Sequence, residues 1–160
     1  MKIGIISDTH IPKTASDMPE DIYNDFVDAD LILHAGDITE ISVIKHLEKL
    51  APVKAVCGNM DSHEIRSILP KKEIIVIQGF RIGLIHGFGS PKGLQKAVKE
   101  EFDSKIDVIV FGHSHMPMNE KIGKTLFFNP GSPTDKVFAP YNSYGIIDIN
   151  KTIVGRIIRI

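Results

Sequence analysis

The sequence has few of the features that mark secreted, membrane or nucleic-acid-binding proteins. Its single cysteine, Cys57, cannot form an internal disulfide, which favours a reducing setting. No apolar run approaches the length that crosses a membrane, and the short run ending at Ser7 is too brief for a signal peptide. The formal net charge is −1 without long blocks of like charge, so a dedicated nucleic-acid surface is not expected. We expect a cytoplasmic protein without membrane contacts.

The length and composition fit one ordinary folded domain. The 160 residues are 42% hydrophobic and 24% charged, enough apolar side chain to build a core. No linker, internal repeat or low-complexity segment interrupts the chain. We therefore expect a single domain spanning residues 1–160.

Two different patterns follow one another along the chain. In the first half, short apolar runs alternate with residues at helical spacing; the expected strands are IGII, DLILHAGD and PVKAVCGN, and the expected helices lie around residues 18–26 and 41–50. In the second half, two strands flank the turn at Gln78-Gly79, a helix covers Leu94 to Phe102, DVIVFGHSH forms a strand, and hairpins follow. Helices between strands and then hairpins predict an α/β sandwich with mixed sheets.

A polar residue that can bind a metal follows most of the expected strands, usually beside a glycine. The carboxyl ends of strands in open α/β folds meet at one edge, so residues distant in sequence can converge there. A neighbouring glycine lets the main chain approach an ion closely. The candidate ligands are Asp8, His10, Asp37, Asn59, His86, His113 and His115.

His113 and His115 are a candidate metal-binding pair, because residues i and i+2 of an extended segment point the same way. Taken alone, two imidazoles also fit an ordinary surface position. Both imidazoles would aim at one point if the extended geometry persists past Gly112. Simpler interpretations exist for other members of the set. Asp8 and Asp37 also fit helix caps or turns, and Gly-Asn is an ordinary turn dipeptide.

The composition of the candidate ligand set indicates its chemistry. Two carboxylates, four imidazoles and one carboxamide are too many for one ion and suit two ions with a shared carboxylate. Nitrogen and oxygen donors without thiolate favour Mn²⁺, Fe²⁺, Co²⁺, Ni²⁺ or Zn²⁺. Two divalent ions, two carboxylates and a hydroxide leave about +1 net charge, which suits an anionic ester. Ions roughly 3.5–4 Å apart can promote displacement at phosphorus.

The ordered motifs D-x-H, G-D, G-N-x-D, H-G and G-H-S-H resemble those of the calcineurin-like metallophosphoesterases. The SDTH opening and the NPGS after the histidine pair resemble the small YfcE/MJ0936-type phosphodiesterase branch. This resemblance implies a four-layer α/β/β/α sandwich of two mixed sheets, and hydrolysis of a small phosphodiester by a hydroxide that bridges two metals, Mn²⁺ before the others. It implies one metal on Asp8, His10 and His115, a second on Asn59, His86 and His113, and Asp37 between them.

The stretch Gly58-Asn59-Met60-Asp61 departs from the family pattern G-N-H-[DE]. In that pattern the histidine helps to bind phosphate and to protonate the leaving group, and Met60 can do neither. Besides Asp37 and Asn59, we therefore name His63 as the candidate catalytic residue that replaces this acid. A preference for activated esters is expected if no residue replaces it.

Alternative functions follow from the same resemblance. Proteins such as the retromer subunit Vps29 share this fold as interaction modules with a degraded metal site, whereas this chain retains all seven candidate ligands. A phosphomonoesterase or a dinucleoside polyphosphate hydrolase would use the same metals with different residues at the mouth of the site. The segment PTDKVFAPYNSY is a candidate contact surface between copies of the chain.

Other polar residues have structural explanations. Asp61 is expected to cap the helical segment SHEIRS, with Glu64 completing a capping box. His34 is expected to be buried and hydrogen-bonded, and His46 to lie on a solvated helix surface. Asn129-Pro130-Gly131-Ser132 has the sequence of a type II turn.

Overall fold

Strands and helices alternate until the fourth helix, after which only strands follow. The computed structural model describes residues 1–102 and 105–160. Within these residues the elements are β1 Lys2–Ile6, α1 Glu20–Phe26, β2 Leu31–His34, α2 Ile41–Leu47, β3 Val53–Ala55, α3 His63–Ile68, β4 Lys72–Ile77, β5 Phe80–Ile85, α4 Leu94–Glu100, β6 Val108–Val110, β7 Met118–Ile122, β8 Thr125–Asn129, β9 Ser143–Ile149 and β10 Ile153–Arg159.

The strands form two mixed sheets of five strands each. The first sheet has the order β10-β9-β1-β2-β3, and the second has the order β4-β5-β6-β8-β7. In the first sheet β1, β2 and β3 run parallel, β9 pairs antiparallel with β1, and the edge strand β10 pairs antiparallel with β9. In the second sheet β5, β6 and β8 run parallel, between the antiparallel strands β4 and β7. Each sheet therefore carries three adjacent parallel strands whose carboxyl ends share an edge.

The sheets pack face to face and the helices cover their outer faces. Ile3 and Ile5 of β1 belong to an apolar cluster that also contains Ile82 of β5 and Val108 of β6. Alternation of side chains along β1 directs Gly4 to the other face, where the ring of Phe26 lies so close that a Cβ at Gly4 would come within 2.8 Å of it.

The outer clusters complete the layers. Helices α1, α2 and α3 pack on the first sheet, through Ile22, Leu47 and Ile65 among other residues. Helix α4 packs on the second sheet through Leu94 and Val98. The predicted four-layer α/β/β/α sandwich is confirmed. None of the helices in the described residues is long and apolar enough to cross a membrane.

The expected elements are present, but several are shorter than the sequence pattern indicated. The strand expected over DVIVFGHSH ends at Val110, before the histidine pair. His113 and His115 have φ values of 67° and 55°, which belong to the left-handed region and not to an extended chain. The expectation that a strand pleat aims both imidazoles at one point is therefore wrong, because the chain has already left the sheet.

The expectation that Asp61 caps α3 is also wrong. The N-cap is Ser62, whose hydroxyl accepts a hydrogen bond from the N–H of Ile65 at 3.3 Å. Asp61 is buried and accepts from main-chain N–H groups instead: those of Asp37 at 3.2 Å, Thr39 at 2.7 Å and Gly58 at 2.7 Å. Three amides at the turns after β2 and β3 need this acceptor, and the local capping pattern gives no sign of them.

Candidate metal centre

The segments that leave the parallel strands of both sheets meet at one edge of the molecule. The first sheet contributes the turns after β1, β2 and β3, and the second contributes those after β5 and β6. The structure brings together all seven predicted ligands at this junction: Asp8, His10, Asp37, Asn59, His86, His113 and His115.

One group of donors consists of Asp8, His10 and His115. Nε2 of His115 lies 3.3 Å from Oδ1 of Asp8, and Nε2 of His10 lies 4.0 Å from the same oxygen. The two Nε2 atoms are 3.4 Å apart. Three donor atoms within 4.8 Å of one another can contact a single cation.

A second group contains Asn59, His86 and His113. Oδ1 of Asn59 lies 3.1 Å from Nε2 of His86 and 3.1 Å from Nδ1 of His113. The two histidines of the G-H-S-H motif therefore serve different groups, since His115 faces Asp8 and His113 faces Asn59. Their separation follows from the left-handed backbone described above.

Asp37 lies between the two groups. Its Oδ2 is 3.6 Å from Nε2 of His10 and 3.4 Å from Nε2 of His86. Its Oδ1 accepts a hydrogen bond from the N–H of Met60 at 2.7 Å, which fixes the orientation of the carboxylate. One oxygen of Asp37 thus faces members of both groups.

Three of the four histidines are oriented through the ring nitrogen that points away from the centre. Nδ1 of His86 lies 2.8 Å from the carbonyl of Ala35, and Nε2 of His113 lies 2.8 Å from the carbonyl of Gly89. Nδ1 of His115 lies 2.5 Å from Oδ2 of Asp135. Each of these oxygens accepts an N–H, so the opposite nitrogen can present a lone pair to a metal.

The electrostatics favour positive charge at this position. Asp8 and Asp37 are 0% and 2% exposed. Burial lowers the pKa of His86, but its hydrogen bond with Asp37 and the charge of Asp8 raise it more, to about 9. Burial likewise opposes protonation of His115, yet Asp8 and Asp135 raise its pKa to about 9. Without metal these imidazoles hold protons at neutral pH, and a cation would displace those protons.

Burial lowers the pKa of His10, and this effect is larger than the opposing effect of the charges on Asp37 and Asp8. The pKa of Asp37 is lowered: burial would raise it, but the hydrogen bonds from His86 and from the N–H of Met60 prevail. The site combines the two carboxylates of Asp8 and Asp37 with nitrogen donors from oriented imidazoles. This donor set fits divalent cations.

His63 and Met60 lie at the rim of this centre. His63 is the first residue of α3 and is exposed, and no hydrogen bond or ion pair among the described residues connects it to the seven predicted ligands. Met60 is 48% exposed, and its main-chain N–H binds Asp37. The role of His63 as an acid therefore stays a prediction.

Sequence reasoning missed Asp135, which lies in the loop after β8. Its carboxylate accepts from the N–H groups of Val137, Phe138 and Ala139 and contacts His115. Burial would raise its pKa, but His115 and these amides lower it to about 2. The only local signal is the cluster Ser132-Pro133-Thr134-Asp135, which is typical of loops in general.

The NPGS segment, residues 129–132, contacts the main chain of the same centre. Gly131 has φ 77°, as a type II turn requires at its third position. The hydroxyl of Ser132 donates to the main-chain carbonyl of Asp8 at 2.7 Å and accepts from the N–H of Asp135 at 3.0 Å. Ser132 therefore joins Asp8 to the loop that holds Asp135.

Two expectations for other histidines are confirmed. His46 is exposed on α2, and His34 is fully buried. The N–H of Gly36 donates to Nδ1 of His34 at 3.2 Å, and Nε2 lies 3.2 Å from the hydroxyl of Thr9. Nδ1 must accept here, so the neutral imidazole is required, and burial lowers the pKa of His34 to about 3.

Comparison with known proteins identifies the family. A family model described as the calcineurin-like phosphoesterase superfamily domain matches residues 1–152. The chain belongs to this superfamily. A probable metallophosphoesterase from Methanothermobacter thermautotrophicus is 44% identical over 135 residues, which are 84% of this chain and 78% of that protein. Phosphodiesterase MJ0936 from Methanocaldococcus jannaschii is 30% identical over 143 residues, 82% and 83% of the two chains.

Solved structures that share this fold include a Vps29. Wild-type Vps29 from Entamoeba histolytica, solved in complex with Zn²⁺, has a TM-score of 0.77 and 23% identity, and the match covers 99% of each chain. This likeness shows a shared fold alone.

The burial of His34 predicts a specific loss of stability in acid. Its folded pKa lies below the usual value, so between about pH 6.5 and pH 3 the unfolded chain binds the extra proton. The free energy of unfolding should fall by about 2 kcal/mol between pH 7 and pH 5 on account of this group. We expect urea unfolding of metal-free His34→Asn to show a correspondingly shallower pH dependence, and His46→Asn to match the wild type. Parallel curves for all three proteins would contradict this account.

Asp135 predicts an effect on metal affinity. The change Asp135→Asn retains an acceptor for Nδ1 of His115 but removes the charge that increases the basicity of the ring. We expect about 10- to 100-fold weaker binding of Mn²⁺ or Zn²⁺, measured by competition with a chelating dye. Asp148→Asn, an exposed carboxylate paired with Arg156, is the matched control. Equal affinities for both variants would show that Asp135 only orders its loop.

Proposed function

We propose that this protein is a metal-dependent phosphodiesterase that hydrolyses a small phosphodiester at a dinuclear centre. The observation that carries the proposal is the position of Asp37, whose Oδ2 faces Nε2 of His10 on one side and Nε2 of His86 on the other. Two divalent cations bound there would supply a hydroxide nucleophile at neutral pH and positive charge for the phosphoryl oxygens.

Each residue of the centre has a role in this proposal. Asp8, His10 and His115 would hold one cation, and Asn59, His86 and His113 would hold a second. Asp37 would be shared between them. The nitrogen and oxygen donors suit Mn²⁺, with Ni²⁺, Fe²⁺, Co²⁺ and Zn²⁺ as alternatives.

The chain's own contacts support this arrangement without rearrangement. The carbonyls of Ala35 and Gly89 and the carboxylate of Asp135 orient three imidazoles, and the N–H of Met60 orients Asp37. Groups fixed in advance spend no free energy on reorganisation when charge develops at phosphorus. The phosphodiesterase named among the relatives supports the choice of a diester over a monoester or a dinucleoside polyphosphate.

An interaction module is the competing proposal, favoured by the exposure of Val137 and Phe138 in the loop that carries Asp135. These side chains are 78% and 72% exposed. A contact surface at this loop, including one between copies of the chain, is compatible with either function. Turnover is therefore the measurement that separates the two.

The proposed function predicts metal-dependent hydrolysis of bis-p-nitrophenyl phosphate. Metal-stripped protein should be inactive and should regain activity with Mn²⁺, Ni²⁺, Mg²⁺ or Zn²⁺ added in turn. Asn59→Ala and His115→Ala should each lower kcat/KM by at least about 100-fold, because each removes a ligand of a different cation. His46→Ala, an exposed histidine on α2, should leave it unchanged. Tight metal binding without turnover would instead favour the interaction module.

Met60 predicts a steep dependence of rate on the leaving group. A positioned general acid typically accelerates such reactions by roughly 10²–10⁴-fold, most of all for poor leaving groups. A series of phenyl phosphodiesters with increasing phenol pKa should therefore show sharply falling kcat/KM, and Met60→His should flatten this trend. If His63 acts as the acid, His63→Ala should lose most activity on the poorest leaving groups. A nearly flat trend in the wild type, unchanged by His63→Ala, would contradict the prediction.

A further inference from the structure

We propose that the substrate carries a second anionic group and that Arg66 and Lys71 bind it; this inference rests on the phosphodiesterase function proposed above. A cleft of about 490 Å³ opens directly beside Asn59 and His86. Its other lining residues include three cations and one carboxylate: Arg66, Lys71, Lys72 and Glu101. A substrate held at the metal centre can therefore extend into a positively charged cleft.

The fold places these cations beside the centre through main-chain contacts. The N–H of Cys57 donates to the carbonyl of Pro70 at 2.9 Å, which joins the segment before Asn59 to the segment before β4. In the ladder between β4 and β5, Lys72 pairs with Ile85, the residue that precedes His86. Lys71 therefore lies next to the strand end that delivers His86.

Arg66 reaches the same cleft from α3. The buried side chain of Ile65 anchors this helix on the first sheet, and the N–H of Arg66 donates to the carbonyl of Ser62 at 3.0 Å. Helix α3 begins only four residues after Asn59, so its orientation is tied to that of the predicted ligand. Both cations thus belong to segments that flank the metal centre.

The cations in the cleft outnumber the charged groups that pair with them among the described residues. Nζ of Lys72 lies 3.0 Å from Oε2 of Glu101 and 5.8 Å from the centre of the Phe102 ring, so this lysine already has partners. Among the described residues, no hydrogen bond or ion pair joins the guanidinium of Arg66 or the ammonium of Lys71 to an acceptor. Two exposed cations that have no partner in residues 1–102 and 105–160 leave room for one external anion.

The size of this charge indicates the class of ligand. Two cations in a cleft of this size are too few to follow a polynucleotide backbone, which requires a longer basic surface. A single carboxylate or phosphate on the non-leaving side of a small diester matches them. The substrate class is therefore a phosphodiester with an additional carboxylate or phosphate group.

The test compares three p-nitrophenyl phosphodiesters with the same leaving group, whose other esterified groups are ethyl, 2-carboxyethyl and 2-phosphonoethyl. Wild-type protein loaded with Mn²⁺ should hydrolyse the better of the two charged esters with a kcat/KM at least about fivefold above that of the ethyl ester. Whichever charged ester has the larger ratio identifies the anion. The ratio should fall as NaCl concentration rises, because the cations are exposed.

Variants distinguish a local site from the general field of the protein. In the double variant Arg66→Gln/Lys71→Gln the ratio should fall toward one, and Arg66→Lys should retain part of it. The control Lys45→Gln/Lys49→Gln removes the same charge from exposed positions on and after α2 and should retain the wild-type ratio.

The outcomes separate this inference from the proposed function. Hydrolysis of all three esters with a ratio near one in the wild type, or with equal ratios in the wild type and the Arg66/Lys71 double variant, would overturn the anion site alone. No hydrolysis of any ester with any metal would overturn the phosphodiesterase function and the site with it.

Discussion

The close approach of two turns from different sheets is the contact on which the centre depends. A Cβ at Gly112 would collide with the side chains of Ser7 and Asp8, and the N–H of His113 donates to the carboxylate of Asp8 at 3.1 Å. A second approach involves Gly36, where a Cβ would lie 2.8 Å from Nδ1 of His86. Glycine at these positions lets the strand ends of both sheets interlock, so donors more than a hundred residues apart in sequence share one site.

The buried carboxylates fall into two kinds according to what balances their charge. Asp61 and Asp135 are held by three main-chain N–H groups each, and both organise loops around the site. Asp8 and Asp37 face imidazoles, and main-chain amides restrain them only in part. Three amides occupy most of the acceptor sites of Asp61, and amides together with His115 occupy those of Asp135, whereas partial restraint of Asp8 and Asp37 orients their remaining lone pairs. Asp61 and Asp135 therefore position the loops of the site, whereas Asp8 and Asp37 are the carboxylates available to a ligand.

The sequence patterns predicted the layers of the fold and the candidate ligands more accurately than they predicted the local backbone geometry. Helices between strands followed by hairpins indicated mixed sheets, and the polar residues beside glycines indicated one shared edge, while the family resemblance supplied the four layers. The N–H of His113, in its left-handed turn, donates to the carboxylate of Asp8, and Asp61 accepts from the N–H of Asp37. Both partners are distant in sequence, so no local pattern contains them. Asp135 was missed for the same reason, because its partner His115 lies 20 residues away in sequence. Local propensity is overridden where segments from two sheets meet.

The backbone at the centre has a further consequence. Seven non-glycine residues among those described have positive φ, and five are predicted ligands: Asp8, His10, Asp37, His113 and His115. Such conformations cost roughly 1–3 kcal/mol each and persist only where surrounding structure enforces them. A library selected for heat resistance alone would therefore collect substitutions here first, since glycine at these positions relieves the strain and removes the donor. Heat resistance and function therefore place opposite demands on these five residues, and selection for heat resistance alone would remove donors from the centre.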